Sequence, residues 1–234
     1  AGSDSGGGAG IQADIKAVTH FKGYAMTAIT AITSQNTKGV QEIFPVPIDH
    51  VASQINSVLD DLKPQIIKTG MLADKSLIKM VANKVQDYKL IVDPVMVATS
   101  GDVLVSEDCI SAIKEYLLPQ SFLITPNLYE AELLSNQKIT NADEQVEAAF
   151  KILELRAKNV LVKGGHSKSD LITDVLVQED GKINRFESKK IHSKNTHGTG
   201  CSLASSIACL IGYGNDLDQS IQSGIDYVQK GITN

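Results

Sequence analysis

The feature that most constrains this fold is a regular alternation between segments with helical periodicity and short segments rich in β-branched residues. Residues 11–21 carry apolar side chains at positions i, i+4, i+7 and i+10, which is one face of a helix. Residues 24–32, YAMTAITAI, follow with the composition of a buried strand. Alternation of this kind along the chain predicts an α/β fold with a mainly parallel sheet covered by helices.

The same patterns place the remaining elements. Further strands are predicted at 65–69, 90–92, 122–125 and 159–163, with a β-hairpin at 174–178 and 183–187 around an Asp-Gly turn. Further helices are predicted at 48–62, 76–88, 106–118, 128–134, 141–158, from the glycine–cysteine stretch to 213, and at 217–228. No linker or repeat separates them, so we predict one domain over residues 1–234. Because ligands bind beyond the carboxyl ends of parallel strands, the polar residues that follow five strands are expected at one edge.

The composition excludes some classes of function. The 234 residues carry a net charge of −5, whereas a nucleic-acid-binding surface needs a basic patch. The sequence contains no apolar run near the ~18 residues of a membrane span and no secretory signal pattern. Its three cysteines form no CxxC pair, which favours reduced thiols and a cytoplasmic protein. We therefore expect small molecules as partners, and neither nucleic acid nor a membrane.

The stretch 195–208, NTHGTGCSLASSIA, places two glycines and a cysteine where a helix is predicted to begin. A helix N-terminus attracts anions because its first N–H groups have no acceptor within the helix. Gly198 and Gly200 would let the backbone approach a phosphate closely. The position also predicts a lowered pKa for the Cys201 thiol, whose thiolate could take a proton from a substrate hydroxyl. The alternative is a tight turn before a buried helix.

Polar residues after three strands add to this picture. Asp93 follows strand 90–92, where a carboxylate often handles a metal or nucleotide. Asn127 and Glu130 lie one turn apart at a helix start, where they could hold a hydrated Mg²⁺ or form an N-cap with a first-turn acid. Lys163 could contact a phosphate or extend to solvent. The combination fits phosphoryl transfer, which depends on positioning and charge neutralisation.

Two residues leave other interpretations open. His197 precedes Cys201 by one helical turn, which raises the alternative of a Cys–His hydrolase. The sequence shows no third group that would orient the histidine, so we disfavour that chemistry. Asp14, four residues into the first predicted helix, could face a site or solvent.

The chain resembles the ribokinase-like superfamily and, within it, the hydroxymethylpyrimidine and phosphohydroxymethylpyrimidine kinases of thiamine biosynthesis. Matching segments occur in order along nearly the whole chain: AGSDSGGGAGIQADIK, AITSQNT, KTGML, DPVMVATSG, LLP, ITPNLYEAE, VLVKGGH and NTHGTGCSLASSIA. The resemblance implies a three-layer sandwich with a mainly parallel central sheet, helices on both faces and a small lid, commonly in a homodimer. It also implies that ATP and Mg²⁺ are used, first on the pyrimidine alcohol and then on its monophosphate.

Carried over position by position, the resemblance assigns roles to individual residues. Gly198, Thr199 and Gly200 would form an anion hole around the transferring phosphoryl group, and Cys201 would be the catalytic base. The other assignments fall into three groups: Gln35, Asp14, Met71 and Gly2 at the substrate; Lys163, Asp93 and Thr196 at the nucleotide; Asn127 and Glu130 at the metal.

Two rival functions accompany this assignment. A similar branch of kinases, with the same glycine–cysteine loop, phosphorylates pyridoxal and tends to carry methionine where this chain has Gln35. An inactive pyrimidine-binding homologue is the second rival, because the family begins with a short apolar strand before AGSD and ends with a further segment. We expect both of these segments to be missing from the sequence.

Overall fold

The computed structural model describes residues 1–96, 105–165 and 170–233. Its strands are β1 (Ser3–Asp4), β2 (Ala31–Asn36), β3 (Gly39–Pro45), β4 (Ile66–Thr69), β5 (Lys89–Val92), β6 (Ser121–Ile124), β7 (Asn159–Val162), β8 (Leu171–Gln178) and β9 (Ile183–Lys189). Its α-helices are α1 (Gly10–His20), α2 (Ile48–Asp61), α3 (Lys75–Val85), α4 (Glu107–Ala112), α5 (Leu128–Ser135), α6 (Ala142–Leu153), α7 (Thr199–Gly212) and α8 (Leu217–Thr233). The predicted alternation is therefore confirmed.

The principal sheet has six strands in the order β4-β5-β6-β7-β8-β9. The pairs from β4 to β7 are parallel, and β8 and β9 add an antiparallel hairpin. All four residues of β7 are buried, as expected for a strand that is covered on both faces. The predicted fold class, an α/β sandwich with a mainly parallel central sheet, is confirmed, and the hairpin makes the sheet mixed.

Helices cover both faces of this sheet because the side chains of each central strand alternate between two apolar clusters. In β5, Leu90 and Val92 belong to a cluster with residues of α3, α5 and α6, whereas Ile91 belongs to a second cluster with residues of α7 and α8. This alternation is the period of two that a strand imposes on its side chains. It produces the three layers that the resemblance implies.

A second sheet joins β1, β2 and β3 beside the principal one. β1 pairs with β2 in parallel, and β2 and β3 form an antiparallel hairpin. Gln35 and Val40, which are cross-strand partners, line the cavity described below. The hairpin therefore contributes one wall of this cavity. The loop at Val97–Asp102, for which we considered closure over the nucleotide, lies outside the described residues.

The strand predicted at 24–32 is wrong in its position. The strand begins only at Ala31, and residues 24–30 form no ladder in the structure. The backbone of Ile29 bonds instead to the side chain of Gln54 on α2. Its N–H donates to Gln54 Oε1 at 2.9 Å, and its carbonyl oxygen accepts from Gln54 Nε2 at 3.1 Å. β-Branched composition identified an extended segment but not its pairing partner, which is set by tertiary contacts. The strands β1 and β3 were not predicted.

No helix within residues 1–96, 105–165 and 170–233 combines the length and apolar character needed to cross a lipid bilayer.

Candidate active site

A cavity of about 700 Å³ opens at the carboxyl ends of the parallel strands. It is lined by all the predicted site residues except Asp14: Gly2, Gln35, Met71, Asp93, Asn127, Glu130, Lys163, Thr196, Gly198, Thr199, Gly200 and Cys201. The expectation that several strands present polar residues at one edge is therefore confirmed. Asp14 lines an adjacent cavity behind this wall.

The glycine loop forms the N-terminus of α7. Gly198 is the N-cap residue and has a φ of 78°, a left-handed conformation that favours glycine. A Cβ at this position would overlap the carbonyl oxygen of Gly8. Unlike α3 and α5, which are capped by Asp74 and Asn127, α7 has no side-chain cap among the described residues. The N–H of Thr199 makes a long contact of 3.4 Å with the carbonyl oxygen of Thr196, and the next two residues, Gly200 and Cys201, line the cavity, where their N–H groups would form an anion-binding surface.

A row of alternating charges lies below this loop. The Nζ of Lys163 is 3.0 Å from Asp93 Oδ1, and the Nζ of Lys68 is 3.9 Å from Asp93 Oδ2 and 2.9 Å from Asp14 Oδ1. Burial works against the charge on Asp93, but the ammonium groups of Lys163 and Lys68 hold the pKa of Asp93 below its ordinary value. A Cβ on Gly200 would lie 3.1 Å from Lys163 Nζ, so this ammonium adjoins the glycine loop.

The prediction of a lowered pKa for Cys201 is wrong. Loss of solvent raises the pKa of the thiol, and the carboxylates of Asp93 and Asp14 raise it further. Lys68 and a hydrogen bond from the backbone N–H of Gly10 act in the opposite direction without overcoming burial. The helix N-terminus is a local effect of modest size, whereas desolvation acts from every side of a buried group.

Asn127 and Glu130 form a capping box at the start of α5. Asn127 Oδ1 accepts the N–H of Glu130, and Glu130 Oε2 accepts the N–H of Asn127, both at 2.9 Å. Glu130 Oε1 also accepts the N–H of Met96 at 3.1 Å. Burial raises the pKa of Glu130, and nearby Lys163 counteracts this rise. The structure thus shows the N-cap interpretation, and the carboxylate is oriented by two backbone donors toward the cavity that it lines.

Gln35 stands on the opposite wall, on β2. Its Oε1 lies 3.0 Å from Thr33 Oγ1, and this hydroxyl also lies 3.0 Å from the carbonyl oxygen of Ser3, so Thr33 anchors an amide that still has N–H groups to donate. Across the cavity wall, Met71 Cε lies 3.1 Å from where a Cβ on Gly2 would be. Because Gly2 has no side chain, the Met71 side chain can pack against its backbone. A donor beside an apolar surface suits a planar ring that has nitrogen acceptors.

Sequence reasoning missed Asp4, which is the partner of His197. Asp4 Oδ2 lies 2.8 Å from His197 Nε2, and the same carboxylate accepts the N–H groups of Gly6, Gly8 and Ala9. The third group that appeared to be missing beside the histidine thus comes from the first loop, 193 residues away. This contact with Asp4 makes His197 a link between the first loop and the glycine loop. The available signal was an acidic residue, Asp4, two positions before the run that begins at Gly6.

Comparisons with known proteins identify the family of this chain. Residues 4–234 match the family model "Phosphomethylpyrimidine kinase". The chain is 40% identical to a hydroxymethylpyrimidine/phosphomethylpyrimidine kinase of Bacillus subtilis, over 100% of this chain and 88% of that protein.

Solved structures of two kinds of kinase are similar to this chain. The phosphomethylpyrimidine kinase of Clostridium difficile has a TM-score of 0.87 at 34% identity, covering 99% of this chain and 96% of that one. A pyridoxal kinase of Staphylococcus aureus, in complex with AMP-PCP and pyridoxal, has a TM-score of 0.89 at 29% identity, covering 97% and 84%. The family model and these relatives show that the chain, which places its glycine loop, Lys163 and Gln35 around one cavity, belongs to the phosphomethylpyrimidine kinase family.

Proposed function

We propose that this protein transfers the γ-phosphoryl group of ATP to 4-amino-5-hydroxymethyl-2-methylpyrimidine and then to its monophosphate, in thiamine biosynthesis. The observation that carries the proposal is the arrangement of three groups around one cavity: the uncapped N-terminus of α7, the Lys163–Asp93 pair and Gln35. Membership of the kinase family supports it, as does the AMP-PCP bound to the Staphylococcus aureus pyridoxal kinase. Family membership supports this function over both rival functions.

In the first transfer the hydroxyl oxygen of the pyrimidine forms a bond to the γ-phosphorus, and the bond from that phosphorus to the bridging oxygen of ADP breaks. In the second transfer a phosphate oxygen of the monophosphate attacks the γ-phosphorus. The backbone N–H groups around Gly198, Thr199 and Gly200 stabilise the charge on the migrating group. Lys163, which adjoins Gly200, adds a positive charge on the nucleotide side. The hydroxyl proton goes to the thiolate of Cys201.

Apolar side chains line the part of the cavity that we assign to the nucleotide. Ile172, Ile225 and Val228 line it together with Thr196 and Ser188. Apolar walls with a few polar side chains suit the adenosine part of ATP. We assign Thr196, Lys163 and Asp93 to this side, because all three line the same cavity as the glycine loop.

The residues of the site fit Mg²⁺ that keeps most of its waters. Each carboxylate oxygen of Glu130 accepts one backbone N–H and retains a second acceptor position. Glu130 and Asn127 would therefore hold the hydrated ion through its waters, the mode of binding that Mg²⁺ favours. When bound, the ion supplies neutralisation of phosphate charge.

A coupled assay of ADP release tests the function. We expect ADP formation with ATP and either the pyrimidine alcohol or its monophosphate, and a much lower kcat/KM with pyridoxal. Pyrimidine binding in calorimetry without any ADP release over hours would identify an inactive homologue instead. A higher kcat/KM with pyridoxal would identify the rival kinase.

Replacing Gln35 by methionine is expected to shift the ratio of kcat/KM values toward pyridoxal by about tenfold or more, because the pyrimidine loses a donor that a thioether cannot replace. The measurement is the ratio of kcat/KM for the two ring alcohols. Gln41→Met, on the neighbouring exposed strand β3, is the control and should leave the ratio unchanged. An unchanged ratio in Gln35→Met would contradict the role of Gln35.

We also propose a homodimer and a cytoplasmic location. Ile32 and Phe44 are cross-strand partners on the small sheet, and 51% and 61% of their surfaces are exposed, which is high for an apolar pair. Phe44→Lys is expected to give monomers in sedimentation equilibrium; a monomeric wild-type protein at micromolar concentration would contradict the dimer. The three free cysteines support a reducing compartment.

A further inference from the structure

Lys68 is a buried lysine in a strand whose pattern calls for an apolar residue. On β4, Ile66 packs against the cluster formed with α7 and α8. Lys68, two residues further along, extends from the same face of the strand. Only 7% of its side chain is exposed. Burying an ammonium is costly unless it is paired, so its partners indicate what it does.

Those partners join three elements beneath the glycine loop. Lys68 Nζ lies 2.9 Å from Asp14 Oδ1 on α1, and Ser205 Oγ on α7 donates to the same oxygen at 2.7 Å. Ser205 lies one helical turn after Cys201, on the same side of α7. Lys68 also lies 3.9 Å from Asp93 Oδ2. Lys68 therefore connects Asp14, behind the substrate side of the cavity, to Asp93 on the nucleotide side.

Lys68 is not among the residues that line the active-site cavity, and so it acts through its neighbours. Charged groups near the Cys201 sulfur come from several elements: Lys68 on β4, Asp14 on α1, Asp93 after β5, Lys163 after β7 and the amino group of Ala1. The two carboxylates disfavour a thiolate. Among the charged neighbours, Lys68 has the largest effect on the thiol, and it lowers the pKa that burial has raised.

We propose that Lys68 is a positioning residue for the phosphoryl-transfer reaction: held between Asp14 and Asp93, its ammonium neutralises these carboxylates and stabilises the thiolate of Cys201. This inference rests on the role of Cys201 as the base. Without the ammonium, two buried carboxylates would face the sulfur with no cation from β4, and the thiolate population would fall. Asp14 would also lose its partner on β4 and keep its hydrogen bond from Ser205 on α7.

The test measures the rate at which iodoacetamide alkylates Cys201 between pH 6 and 10, with the modified residue identified by mass spectrometry. In Lys68→Met the rate at pH 7 is expected to fall about tenfold or more. The reason is that loss of a neighbouring opposite charge changes the pKa of a buried group, here the Cys201 thiol, by about one unit or more. Lys68→Arg should restore most of the rate. Lys84→Met, an exposed lysine on α3, is the matched control and should alkylate like the wild type.

Asp14→Asn provides a test of opposite sign, which also covers the case that Lys68→Met does not fold. Removing this carboxylate takes away a negative charge that disfavours the thiolate. Alkylation of Cys201 at pH 7 should therefore become faster than in the wild type. Identical pH profiles in the wild type and in either folded variant would overturn the proposal. If the profiles change as expected but Cys201→Ala retains full kinase activity, the fault lies in the role of Cys201 and not in the position of Lys68.

Discussion

Replacing Cys201 by alanine is expected to lower kcat by about 10²- to 10⁴-fold, the usual contribution of a general base, while KM for ATP changes little. Cys201 lines the cavity at the start of α7, beside the N–H groups that we propose bind the migrating phosphoryl group. Alanine is slightly smaller and a good helix former, so the fold should remain intact. Steady-state kinetics with the pyrimidine alcohol, together with circular dichroism, provides the measurement.

Cys209→Ala is the matched control for this experiment. Cys209 lies on the same helix and is also half-buried, but its Sγ faces the carbonyl oxygen of Val18 at 3.8 Å, away from the active-site cavity. We expect this variant to keep the wild-type kcat. A Cys201→Ala enzyme with wild-type turnover would remove the thiol from the mechanism.

The second large effect is expected from Gly198→Ala, which should lower kcat/KM by about 100-fold and destabilise the protein. A left-handed conformation costs an alanine about 1–2 kcal/mol. Its Cβ would also overlap the carbonyl oxygen of Gly8, so the two loops would have to move apart. A displacement of about 1 Å in groups that position a reacting atom is enough for a 10²-fold loss of rate. Urea unfolding and steady-state kinetics measure the two effects.

Gly231→Ala is the matched control for the glycine substitution. A Cβ on Gly231 would meet open space, and the residue lies within α8. Alanine should therefore stabilise the helix by roughly 0.5–1 kcal/mol and leave the kinetics unchanged. If Gly198→Ala behaved like this control, the glycine loop would not be the constrained element that the structure describes.

Most of the sheet and much of the site followed from local patterns. Lys163, Asp93 and the Asn127–Glu130 pair were expected together because each follows a strand, and parallel strands end at a common edge. Gly198 and Gly200 were recognisable because a turn into a helix has a characteristic composition. These inferences need no knowledge of contacts between distant segments.

The features that were missed or mispredicted all depend on such contacts. Lys68 and Asp14 are 54 residues apart, and no local rule pairs them. The pKa of Cys201 was predicted from its helix position, whereas burial among several elements determines the direction of its shift. The segment at 24–30 has strand composition, but its hydrogen bonds depend on where α2 packs. A single sequence encodes these contacts only through the complete fold.

The two loops that meet at Gly8 and Gly198 constrain each other's conformation, although they lie far apart in the sequence. The contact between Asp4 and His197 joins them, and the carbonyl oxygen of Gly8 occupies the space that a Cβ on Gly198 would need. A chimera that takes its last third from a relative would therefore place a foreign loop against the native one. Engineering of acceptor preference in this scaffold should transplant residues 2–10 and 195–201 as a matched pair.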